Sequence, residues 1–92
     1  MLLEIVSPEA VLFKGDVESV AVPGINGEFQ MLNDHAPVVS LLQKGDVKIY
    51  GNIEVSELNK PKFKKGDKGI TLLPIESGTI ELKDNKIIIL AD

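Results

Sequence analysis

The sequence predicts an all-β sandwich, and three observations carry that prediction. Short apolar runs rich in branched residues recur along the 92-residue chain. Glycine, proline or Asn/Asp turn residues punctuate nearly every run, the pattern of a sandwich or barrel. No window holds apolar residues at helical spacing for three turns, so no long helix is expected.

The elements follow in order. Leu2 to Val6 is a short apolar run stopped by Ser7-Pro8. Val11-Leu12-Phe13 comes next and is expected to break at Lys14-Gly15-Asp16. Val17 to Val22 alternates apolar with polar or small residues before Pro23-Gly24, the period of a half-buried strand. Glu28 to Leu32 and Val38 to Leu42 follow, the second halted by Lys44-Gly45-Asp46. Val47 to Tyr50 alternates again. Ile70 to Ile75, Thr79 to Leu82 and Lys86 to Leu90 complete the set. Lys83-Asp84-Asn85 joins the last two as a tight hairpin turn of Asx type. The nearly continuous apolar stretches Ile70–Leu73 and Ile87–Leu90 are expected at the most buried positions. The whole chain, 1–92, is one domain: a single small β-sandwich of short, mostly antiparallel strands.

Composition limits the function classes. A hydrophobic fraction of 43% argues against disorder. The absence of cysteine removes a disulfide framework and any thiolate metal site. A formal charge of −4 with no arginine argues against nucleic acid as a partner. No apolar run approaches the ~18 residues of a membrane span, and the start lacks a basic segment followed by an apolar one. The chain reads as soluble and acidic.

Residues 51–69 depart from this economy. The segment is polar and holds Lys60, Lys62, Lys64, Lys65 and Lys68, half of the lysines. Such a run could contact phosphate or an acidic surface. The plainer reading is a solvated loop, since Glu54, Glu57 and Asp67 dilute its field. Pro61 argues against a paired central strand here.

Catalysis needs convergent groups. His35, the only histidine, lies in a turn beside Asp34, but neighbours in sequence seldom point at one another. Ser40, Ser56 and Ser77 sit in no nucleophile context. One histidine without cysteine makes a poor metal site. Gly24-Ile25-Asn26-Gly27 lacks the lysine and following helix of a phosphate loop, and its expected role is to supply positive backbone angles between two strands. No catalytic residue, metal ligand or cofactor site is therefore assigned. His35 reads as a hydrogen-bonder that fixes its loop.

The order of motifs carries a resemblance. Leu-Glu-Ile-Val-Ser-Pro-Glu is followed by Gly-Asp-Val-Glu-Ser-Val-Ala-Val-Pro-Gly, then Gly-Glu-Phe-Gln-Met-Leu-Asn-Asp-His-Ala-Pro. Ser77-Gly78 and a closing Asp84 to Asp92 complete it. This resembles the amino-terminal β-sandwich domain of the epsilon subunit of bacterial F-type ATP synthases. The match covers 1–50 and 70–92 and is weak over 51–69, which reads as an enlarged loop. Asn33-Asp34 stands where many members have Pro-Gly, one pair of turn formers for another.

The resemblance implies a non-catalytic subunit of the central stalk. One face would pack on the gamma subunit and the lower rim would touch polar loops of the c-ring, so that ion-driven rotation is coupled to ATP synthesis. By carry-over, Glu28 and Phe29 lie near the c-ring, with His35 close by on the same rim. A carboxylate suits basic c-ring loops, where a rim ion pair sets register. Val38 and Leu42 are the weaker candidates for the gamma contact, together with Val20 and Val22. The implied location is peripheral, on the cytoplasmic face of the bacterial inner membrane, without self-association. Members usually continue after Leu-Ala-Asp into a helical hairpin that can block rotation. A sequence ending at Asp92 is expected to be a short form without that inhibitory, ATP-binding element. Two rival readings are a generic interaction module binding through the lysine loop at 60–68, and a small β-barrel enzyme using His35.

Overall fold

Turn residues divide the chain into ten strands. In the computed structural model, which describes all 92 residues, these are β1 (Leu2–Val6), β2 (Val11–Asp16), β3 (Ser19–Gly24), β4 (Gly27–Met31) and β5 (Val38–Leu42). After β6 (Gly45–Tyr50) come β7 (Lys64–Lys65), β8 (Thr71–Ile75), β9 (Gly78–Lys83) and β10 (Lys86–Ala91). Two single-turn 3₁₀ segments, Lys60–Lys62 and Asp67–Gly69, flank β7. There is no α-helix, as expected.

The strands form one sheet that curls on itself into a sandwich or half-barrel. Its first half runs β2-β1-β10-β9-β5, and its second runs β3-β6-β8-β7 with β4 on the free side of β3. Only β1 and β10 pair in parallel. The halves meet where Gly24 pairs with Leu42, after which the chain bends at Gln43-Lys44 and returns as β6 along the same side of β3. A strand that changes sheets in this way makes the corner of a sandwich. Eighteen buried apolar residues fill the space between the halves, among them Leu3, Ile5, Met31, Ile49, Ile80 and Ile89.

The β9–β10 hairpin is tighter than the sequence alone required. Asp84 (φ 51°) and Asn85 (φ 60°) are both left-handed, and Lys83 pairs with Lys86. This is a two-residue turn of type I′, which Asn and Asp tolerate best after glycine. In the β3–β4 hairpin only Gly27 (φ 116°) takes a positive angle. Gly24 serves a different need: a Cβ there would stand 2.8 Å from the Phe29 ring.

Three expectations are corrected. Lys14-Gly15-Asp16 does not break β2; the strand runs through it, pairing with Leu2–Glu4. Ile70–Leu73 and Ile87–Leu90 are not the most buried stretches. Both alternate, and Leu90 is 53% exposed. The strand buried along its whole length is β3. Its outward residues Ser19, Ala21 and Pro23 are compact, and longer side chains from β4 and β6 close over them. Gln30 Nε2 donates to Ser19 Oγ at 3.0 Å.

Candidate functional site

Glu28 stands one residue from the β3–β4 turn, with its carboxylate on the outer face of the sheet. Lys48 on β6 reaches it at 2.9 Å. Because β3 lies between β4 and β6, this bond passes over β3. The Glu28 carboxylate, through its hydrogen bond and then its charge, holds the Lys48 ammonium above its ordinary value of 10.5. Phe29, on the opposite face of β4, is half-buried against the core.

His35 lies elsewhere. It follows the far end of β4, beyond Met31 and the turn closed by the His35 N–H donating to the Leu32 carbonyl at 3.1 Å. Glu28 to Met31 alone spans roughly 10 Å of strand. The structure therefore puts Glu28 and His35 at opposite ends of β4 rather than on one rim. His35 is exposed, and its Nδ1–H donates to the Ala36 carbonyl at 2.7 Å. Asp34 does not orient it: the Asp34 carboxylate accepts from Asn33 Nδ2, at 3.4 Å. What fixes this corner is Asn85, whose Oδ1 accepts from the Asp34 N–H at 2.9 Å and whose Nδ2 donates to Asn33 Oδ1 at 2.8 Å. Asn33 and Asn85 read in the sequence only as turn formers, because a separation of 52 positions conceals their contact.

The apolar candidates on β5 shift by one register position. Leu42 is 4% exposed and belongs to the core, as do Val20 and Val22, while Val38 packs against it. The outward residues are Val39 (80% exposed) and Leu41 (59%). Cross-strand pairing extends Leu41 into a row through Thr79, Leu90 and Val6 to Val11. With Ile25 at its edge, this row borders a shallow hollow of about 650 Å³ on the outer face of the first half-sheet.

The lysine segment is folded, not merely solvated. Its lysines are exposed, but Ile53, Val55 and Phe63 pack against the core and Asn59 is buried. Asn59 Nδ2 donates to Ser56 Oγ (3.1 Å) and to the Val11 carbonyl (3.2 Å) of β2. Since β2 and β7 are the two ends of the curled sheet, this segment closes its open side. Lys60 pairs with Glu57 at 2.9 Å, and that hydrogen bond raises its pKa. Beneath the segment lies a half-open cavity of about 730 Å³, lined by Ile53, Val55, Phe63, Lys64, Lys65 and Thr71 among others. The Thr71 hydroxyl is the one buried side-chain polar atom without a hydrogen-bond partner. Leaving such a group unpaired costs about 1–3 kcal/mol.

No group of three His, Asp or Glu side chains is arranged to hold a metal ion, and no helix is long and apolar enough to cross a membrane. The architecture defines a small all-β sandwich whose distinctive chemistry lies on its faces and rims. A family model described as the β-sandwich domain of the ATP synthase delta/epsilon chain matches residues 1–92, and the chain belongs to that family. It is 39% identical over 90 residues to an ATP synthase epsilon chain of Leptospira interrogans, covering 98% of this chain and 59% of the relative. An epsilon chain of Chlorobium limicola is 33% identical, with 98% and 86% covered. Among solved structures, the central stalk and c-ring of the Tetrahymena thermophila mitochondrial ATP synthase holds a chain of the same fold. That match has a TM-score of 0.72 at 16% identity, covering 98% of this chain and 61% of the other. The chain thus spans somewhat over half the length of several relatives.

Proposed function

We propose that this chain is a non-catalytic subunit of the central stalk of an F-type ATP synthase, linking the gamma subunit to the polar loops of the c-ring. The observation that carries the reading is the row of exposed apolar side chains on the outer face of the first half-sheet. Leu41, Leu90 and Val11 are each at least half exposed and stand in one cross-strand line. An apolar line of this kind on a small sandwich is suited to burial against another protein. The gamma contact is accordingly assigned to Val39, Leu41 and Leu90 in place of Val38 and Leu42.

The c-ring contact is assigned to the Glu28 rim. Lys48 pairs with the carboxylate, and the half-exposed Glu28 side chain remains open to a basic loop residue. His35 is at the opposite end of β4, so it and Glu28 do not form one contact with the ring. Torque passes through the subunit as through a rigid spacer, at the cytoplasmic face of the membrane that holds the ring. Nothing in this role requires chemistry from the sandwich itself.

Co-expression with the gamma subunit from the same source, followed by size-exclusion chromatography with mass determination, tests the reading. A stable one-to-one complex that Leu41→Asp together with Leu90→Asp disrupts is the expected result. Separate elution of the two wild-type proteins at micromolar concentration would overturn it.

A further inference from the structure

We propose that Asn26, at the tip of the β3–β4 hairpin, is a site of spontaneous modification, where the side-chain amide is converted through a cyclic imide to aspartate and isoaspartate. This goes beyond the stalk assignment and does not depend on it. The chain has asparagine at positions 26, 33, 52, 59 and 85. Asn33, Asn59 and Asn85 are held by side-chain hydrogen bonds. Asn26 and Asn52 are exposed, and the side-chain hydrogen bonds of the fold reach neither. Asn52 precedes Ile53, whose branched side chain crowds the backbone nitrogen that would have to attack. Asn26 precedes Gly27, where a Cβ would meet nothing within 4 Å. Only at Asn26 is an unheld side-chain amide followed by an unshielded backbone nitrogen.

The Gly27 nitrogen gives its proton to solvent and attacks Asn26 Cγ. The Cγ–Nδ2 bond breaks, and ammonia leaves. Water then opens the imide at either carbonyl. Opening at Cγ restores the ordinary backbone with aspartate, and opening at the backbone carbonyl routes the chain through the β-carbon as isoaspartate. The fold sets the gate. Pro23 has no N–H, so Pro23–Glu28 is the non-hydrogen-bonded pair of the antiparallel ladder and Gly24–Gly27 the bonded one. The Pro23 carbonyl accordingly faces away from β4 and accepts from the Gln43 N–H at 2.8 Å. The Gly27 N–H is thus tied to Gly24 until the last pair of the hairpin opens, and such ends open most readily. Either product sets a new carboxylate near Glu28. Isoaspartate also lengthens the turn backbone, which loosens the register that holds Glu28 against Lys48.

The test is to hold the 92-residue chain in warm, mildly alkaline buffer and follow each asparagine by peptide mapping with mass spectrometry. Isoaspartate is read separately, as methyl groups accepted from a protein isoaspartyl methyltransferase. Asn26 is expected to convert first, with isoaspartate the larger product. The rate should rise with pH, because the attacking nitrogen must lose its proton. Asn26→Gln, at an exposed position, makes ring closure unfavourable and should abolish both the ammonia loss at this position and the methyl acceptance. A free peptide spanning Val22–Gln30 lacks the ladder and should convert several-fold faster than the folded chain. Earlier conversion of another asparagine overturns the proposal, as does an intact Asn26 after the free peptide has fully converted. Aspartate without isoaspartate would mark direct hydrolysis and overturns the imide route. Methyl acceptance that survives Asn26→Gln places the site elsewhere. Equal rates in chain and peptide overturn the gate formed by the Gly24–Gly27 pair.

Discussion

Lys48 Nζ and Glu28 Oε1 stand 2.9 Å apart across the outer face of β3. Their bond ties β4 to β6 over a strand that contributes only compact side chains to that face. Lys48 is held above its ordinary value of 10.5, first by the hydrogen bond and then by the charge of Glu28. A raised lysine stabilises the fold fully below its unfolded value and ceases to do so as pH rises through the folded value. The urea midpoint of Lys48→Met, compared with wild type from neutral pH to about 11, should show a constant deficit that disappears only in the alkaline limb. A deficit that vanishes near neutrality would remove the clamp.

Leu41 and Leu42 are adjacent yet face opposite ways, and they should separate stability from assembly. Leu42→Ala opens a core cavity and should cost about 2–5 kcal/mol, read from denaturant unfolding. Leu41→Ala should stay within about 0.5 kcal/mol while weakening capture by gamma. The reverse pattern would return the interface to the sequence-based choice.

Thr71→Val exchanges an unpaired hydroxyl for a methyl of nearly the same shape. Removing a buried group that has no partner should stabilise the chain by about 1 kcal/mol, or at worst leave it unchanged. Loss of stability would mean that the hydroxyl has a partner, most simply a bound water. Chemical denaturation measures the sign.

Gly78 pairs with Ala91 on one side and Leu42 on the other, and a Cβ there would collide with the Leu90 carbonyl. Backbone cannot give way as a side-chain tip can. Gly78→Ala should therefore cost more than about 2 kcal/mol and should lower the thermal midpoint clearly.

The loop holding His35 depends on Asn85 rather than on the histidine. Asn85→Gly keeps the left-handed turn and removes two side-chain hydrogen bonds, for a loss of about 1–2 kcal/mol. His35→Ala, at an exposed site, should change stability by no more than about 0.5 kcal/mol. Equal losses would restore the histidine as the anchor.

Much of the fold was legible because its turns are written in glycine, proline, Asn and Asp. The class and most strands follow from them. The phase of β5 was not legible: Val38, Val39, Leu41 and Leu42 are all apolar, so alternation has no marker for inside. The depth of β3 was hidden for a related reason, since Ser19 and Ala21 are buried by neighbours distant in sequence. Asn59 gave no local sign either. A polar residue in a lysine-rich stretch reads as solvated until its partners on Ser56 and Val11 are seen. The rim was mislocated because Glu28 and His35 are close along the chain while a strand separates them in space.

The closure of the sheet by Asn59 has a consequence for any dissection of this protein. Excising the lysine segment would remove a strap as well as a set of charges. The Val11 carbonyl would lose its partner and β8 its outer neighbour, leaving two bare strand margins free to recruit other chains. A shortened protein that sticks to itself would then mimic a gain of partner, and one that unfolds would mimic a loss. Single side-chain replacements at Lys60, Lys64 or Lys65 leave the strap fastened, and they alone separate the charges of the segment from its hold on the sheet.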